Sequence, residues 1–155
     1  MKTSTIVAPP LDLDLNTVDT SMPLIAQGSL ADFNIVKVEA KKTAAGGSML
    51  SLDSVTTSPT KAEDGHDLGP GIHVFHNLNL APSGKATWDM VIRNIAAVTQ
   101  AAGVTTTYGD LVANPVATLQ GKQFRAKLNI APAGTDRNGK SYRAKNEFAV
   151  FMKVQ

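Results

Sequence analysis

The sequence contains no cysteine, which excludes a disulfide framework and any thiolate metal site and suits a reducing compartment. No apolar run approaches the ~18 residues of a membrane-spanning helix. The apolar stretch behind Met1 and Lys2 is too short for the core of a secretory leader, so the chain is expected to be soluble and unexported. Also missing are a Walker A loop, a Gly-x-Ser-x-Gly elbow and a Rossmann fingerprint. The acidic residues before position 70 are scattered through expected loops, which argues against a two-metal nuclease centre. Neither a catalytic centre nor a cofactor is expected. His66, His73 and His76 lie close together, but His73 and His76 are three apart on a predicted strand and so point to opposite faces. No zinc-ligand spacing is present.

What is there suits one domain: 155 residues, 43% of them hydrophobic. The near-neutral total hides an asymmetry. Residues 1–70 carry five Lys/Arg against nine Asp/Glu, and residues 71–155 carry ten against four. After Gly121, eight basic residues meet only Asp136 and Glu147. Such a basic C-terminal third is either a polyanion-binding surface or a solvated hairpin.

Residues 1–30, with Pro9, Pro10 and Pro23, read as an extended arm. In it Leu11, Leu13, Leu15 and Val18 partly alternate with aspartates. Strand-like runs follow at Phe33–Ala40, Ser48–Val55 and Ile72–Leu80. The first two are joined by a basic turn from Lys41 and Lys42 to Gly47, and residues 56–70 form a loop rich in chain breakers. Trp88, Val91, Ile92, Ile95, Val98 or Thr99, and Ala102 mark a helical stripe, with Ser83 or Thr87 as N-cap and Gly103 as terminator. A linker then leads to a hairpin. Phe124–Ile130 pairs with Tyr142–Val154 around a turn from Pro132 to Lys140, and Asn138-Gly139 is the turn signature. The third run places Phe75 on one face with His73, Asn77 and Asn79. On the return strand, Tyr142, Ala144, Asn146, Phe148, Val150 and Met152 are expected on one face and Arg143, Lys145, Glu147, Ala149, Phe151 and Lys153 on the other.

The order strand, strand, strand, helix, strand, strand is that of a five-stranded oligonucleotide-binding (OB) barrel. In that fold the second and third strands, with the 1–2 and 4–5 loops, form the binding face. Both loops are basic here, and the domain is expected to span residues 31–155. Single-stranded nucleic acid requires a positive groove and exposed rings, with stacking worth ~1–3 kcal/mol per base. The cations Arg125, Lys127, Arg143, Lys145 and Lys153 are expected within ~5–8 Å of one another on two neighbouring strands. Arg137 and Lys140 extend them into the turn, and Lys41 and Lys42 face them from the other side. Phe75 is the first choice for stacking, with His73 beside it, and the alternative is a core ring beneath the arm. Tyr142 and Phe151 follow, while Trp88, Phe33, Phe124 and Phe148 read as core.

Several segments resemble a phage-encoded family of single-stranded DNA-binding proteins with an OB fold. They are Gly46-Gly47, Asn77-Leu78-Asn79-Leu80, Ala101-Ala102-Gly103-Val104, Leu119 through Lys127, Asn138-Gly139-Lys140 and Lys145-Asn146-Glu147-Phe148. Their order and spacing over roughly residues 30–155 carry the likeness, since each is short. The resemblance implies sequence-tolerant binding of single-stranded DNA, and less directly RNA, in phage replication or recombination in the infected cell's cytoplasm. Single-stranded-DNA-binding proteins of cells often end in an acidic partner-recruiting tail, whereas this chain ends Met152-Lys153-Val154-Gln155. The arm fits equally well a virion structural or head–tail connector protein, or contacts between copies.

Overall fold

A computed structural model describes residues 11–17, 24–42, 47–82 and 87–154. Among these residues nine strands form: β1 (Leu30–Lys42), β2 (Ser48–Thr56), β3 (Thr60–Lys61), β4 (Asp67–Leu68), β5 (His73–Asn79), β6 (Gln123–Ala131), β7 (Gly134–Thr135), β8 (Ser141–Tyr142) and β9 (Lys145–Met152). Three helices lie between β5 and β6: α1 (Trp88–Ala101), α2 (Tyr108–Ala113) and α3 (Pro115–Leu119). A 3₁₀ turn, Leu15–Thr17, precedes them.

The protein is mainly β. Its principal sheet has five antiparallel-paired strands in the order β5-β2-β1-β6-β9. The first four strands of the sheet and the first helix stand where their hydrophobic periods predict them; the fifth begins at Lys145 and not at Tyr142, which belongs to β8 and pairs with Gly134. Strand alternation sends Phe33, Ile35, Leu50, Leu52, Val74, Leu78, Phe124, Ala126 and Leu128 inward, all fully or nearly fully buried. Two irregularities bend the sheet: Val36 has no partner on β2, and Ala149 has none on β6. An extra residue of this kind kinks its strand and increases the local twist.

A closed barrel is expected from the sequence; the sheet is open. Four antiparallel steps separate β5 from β9, so these outer strands run parallel, and among the described residues no hydrogen-bonded ladder joins them. The seam is filled by rings instead. His76 lies 5.8 Å from Phe148 and 5.2 Å from Phe151, centroid to centroid. Helix α1 packs against both strands. Thr87 caps it by accepting from the Met90 amide, and Val91, Ile95, Val98, Thr99 and Ala101 are buried. Trp88 departs from expectation: it is 54% exposed and packs edge-on against Tyr108. It sits in the first turn, before the helix meets the sheet, and Ile92 is exposed as well.

The linker after Gly103 contains α2 and α3. They are too short for a periodic signal, but Thr107 caps the first by accepting from Asp110 and Pro115 opens the second. Each delivers one fully buried leucine, Leu111 or Leu119. The end of the expected arm belongs to the domain. Ile25 is fully buried, bridges Ala62, and exchanges two hydrogen bonds with the Asn146 side-chain amide, at 2.8 and 2.9 Å. Among the described residues no helix is long and apolar enough to cross a membrane.

Candidate nucleic-acid interface

The N-terminal ends of β5 and β9 flank a groove of about 990 Å³. One wall is β5, with His73, Phe75 and Asn77; the other is the segment from Arg143 to Glu147. The short β3–β4 hairpin and Leu24 border it, and Val74, His76 and Asn146 lie toward the core.

Phe75 is 60% exposed. Alternation on β5 turns it outward, and its cross-strand neighbour is Asp53 rather than an apolar residue. The His73 ring lies 6.1 Å from it at an interplanar angle of 17°. Asp53 fixes His73 by a 2.7 Å contact at Nδ1. Burial beneath the arm, the alternative for Phe75, is not seen among the described residues. Tyr142 is 52% exposed in the distal β7–β8 hairpin, where its ring packs on Gly134 so closely that a Cβ there would come within 2.6 Å of the hydroxyl. Phe151 is not a free ring. The missing partner at Ala149 reverses the alternation of β9 beyond that point, so Phe151 turns inward and packs 5.4 Å from Phe124.

The basic residues divide into groups instead of forming one cluster. Arg125 is committed to Asp32, its direct cross-strand neighbour, at 2.7 Å through Nε. That carboxylate stabilises the guanidinium's charge and raises its pKa above the usual arginine value. Lys127 stands between Leu30 and Val150. Lys145 pairs with Ala131, four residues further along β6, about 13 Å from the Lys127 position. The expected single cluster of Arg125, Lys127, Arg143, Lys145 and Lys153 therefore does not form. Arg143 and Lys145 reach the groove. Arg137 and Lys140 are exposed around the distal turn, which Asp136 closes by accepting from the Asn138 and Lys140 amides and where Gly139 takes the left-handed φ of +77°. Among the described residues none of these four forms an ion pair. Lys41 and Lys42 belong to β1 rather than to the turn, and residues 43–46 of that turn lie outside the described residues. Lys41 shares the outward face with Phe75, because the register aligns Lys41, Met49 and Asn79 in one row and Lys37, Asp53 and Phe75 in another. It lies 3.9 Å from Glu39.

No family model matches this chain, and no curated protein matches it.

Sequence reasoning missed the acidic margin of the groove, formed by Glu63, Asp64 and Glu147. Asp64 is held by its own turn, accepting from the His66 amide at 3.0 Å and contacting the His66 ring, and these bonds lower its pKa. Nothing in the local spacing marks residues 60–68 as a hairpin folded beside β5. Among the described residues no three histidine or carboxylate side chains converge to hold a metal ion.

His76 has the opposite environment to His73. Burial lowers its pKa below the ordinary 6.5. The folded state thus takes up this proton less readily than the unfolded chain, and stability is full above pH 6.5 and declines as pH falls from there toward the lowered value. Melting temperature measured from pH 8 to 5 should fall at the acidic end, and His76→Gln should flatten part of that fall.

Proposed function

We propose that this protein binds single-stranded nucleic acid without sequence specificity, and that it does so as an OB-type domain acting on single-stranded DNA in phage replication or recombination. One observation carries the reading: an exposed Phe75, flanked by His73 and Asn77, faces two cations without ion-pair partners among the described residues, Arg143 and Lys145, across one groove. Bases would stack on the ring while phosphates meet the cations, an arrangement tolerant of sequence because every base has a face to stack. The strand order, the parallel outer strands and the intervening helix support the OB assignment.

The test is a titration of fluorescent oligo-dT at several salt concentrations. Binding should weaken linearly in log–log form, with a slope of about −0.7 for each phosphate neutralised. A duplex of the same length should bind more weakly, because its bases are not free to stack. No binding at low salt would end the proposal. A second reading, a connector or other assembly protein, is favoured by the exposed Trp88, Ile92, Tyr108 and Val112 on the helical side. A chain with that role alone should not retard labelled single strands in a gel.

A further inference from the structure

The groove has a second possible ligand of matching chemistry within the same molecule. Its border includes Leu24, and the next residue, Ile25, is clamped between Ala62 and Asn146. The chain before Leu24 is therefore tethered at the groove itself. Six residues lie between Thr17 and Leu24, a span of seven Cα–Cα steps that reaches at most about 25 Å. Leu11–Thr17 reads Leu-Asp-Leu-Asp-Leu-Asn-Thr, and Leu11, Leu13 and Leu15 are all exposed. Its turn is held locally, with Asp14 accepting from the Asn16 amide at 3.0 Å and from the Thr17 hydroxyl at 2.7 Å. Asp12 forms no ion pair among the described residues. An apolar, negatively charged segment is thus within covalent reach of a groove that offers an exposed ring and two cations, Arg143 and Lys145, without ion-pair partners among the described residues, with the carboxylates of Glu63, Asp64 and Glu147 at its margin.

We infer that the groove is also a site for an acidic, leucine-rich peptide, and that its occupant is Leu11–Thr17 of the same chain. Leucine side chains would cover Phe75, and the carboxylates of Asp12 and Asp14 would meet Arg143 and Lys145. The segment and a nucleic acid would then compete for one surface. The competition rests on the function proposed above; the peptide site does not. A short tether gives an effective concentration of the order of millimolar. A peptide affinity of about 0.3 mM would therefore leave the groove mostly occupied and weaken nucleic-acid binding about fourfold.

Two measurements on the full chain test this. In the first, a variant carrying Leu11→Ser, Leu13→Ser, Leu15→Ser, Asp12→Asn and Asp14→Asn is titrated with oligo-dT and should bind about fourfold more tightly than the parent. In the second, a fluorescent synthetic peptide spanning residues 9–20 is titrated with that variant. It should bind with sub-millimolar affinity and lose binding when Phe75→Ala and Arg143→Glu are added. If oligo-dT fails to bind any form while the peptide binds, the peptide site stands and the nucleic-acid function falls. If oligo-dT binds both forms equally and the peptide does not bind, the inference falls and the function stands. Tightening that varies with protein concentration would assign the occupant to a second copy and overturn the same-chain assignment.

Discussion

Reversing both groove cations, Arg143→Glu with Lys145→Glu, should weaken oligo-dT binding at least about tenfold at 0.1 M salt and make its salt slope shallower by about 1.4, the loss of two single-strand phosphate contacts. Phe75→Ala should cost about 1–3 kcal/mol of binding while leaving the salt slope almost unchanged, because it removes a stacking surface and not a charge. The two variants therefore separate the two halves of the proposed site. Arg125→Gln is the control. Its guanidinium is already engaged with Asp32, so binding should hardly change. All four positions are at the surface or partly exposed, and each variant's melting temperature should be measured alongside. If the double reversal binds as tightly as the parent, the assignment of the groove fails.

Phe124→Ala should be the most damaging single truncation, at about 3–5 kcal/mol of folding stability. The ring is 1% exposed and stands at the centre of the seam's packing: Phe33 lies 5.5 Å away, Phe148 5.2 Å and Phe151 5.4 Å. Removing it leaves a void touching β1, β6 and β9 together, and the remaining rings, held on two different strands, cannot all shift to fill it. Thermal unfolding should move down by about 10 °C for a chain of this length. A loss below 1 kcal/mol in urea titration would mean that the seam repacks, contrary to this description of the core.

The main strands and α1 were legible because their residues repeat with clear periods. Alternation from His73 to Asn79 separates Phe75 from Val74 and Leu78 without any knowledge of partners, and the turn at Asn138-Gly139 sits where its dipeptide places it. The site was only half legible, because its assembly depends on register. One unpaired residue, Ala149, turns Phe151 from an outward ring into a core ring, and no local composition marks it. Likewise Arg125 and Lys145 look equivalent on a strand diagram, yet one faces Asp32 and the other faces the groove. Ile25 lies among Pro, Ser and Gly residues, and its burial comes from a distant asparagine whose amide imitates a strand partner. Trp88 shows the reverse error: a helical stripe identifies a face, but not how far along the helix the covering sheet extends.

The parallel outer strands bear on how copies behave when crowded. The ring-filled seam does not pair β5 with β9, so among the described residues each is an outer strand with no further strand hydrogen-bonded to its rim. Uncovered rims are the usual template on which neighbouring sheets fuse into aggregates. Two such rims are present here, and the exposed, charged Lys145 and Glu147 on β9 are what would oppose such fusion.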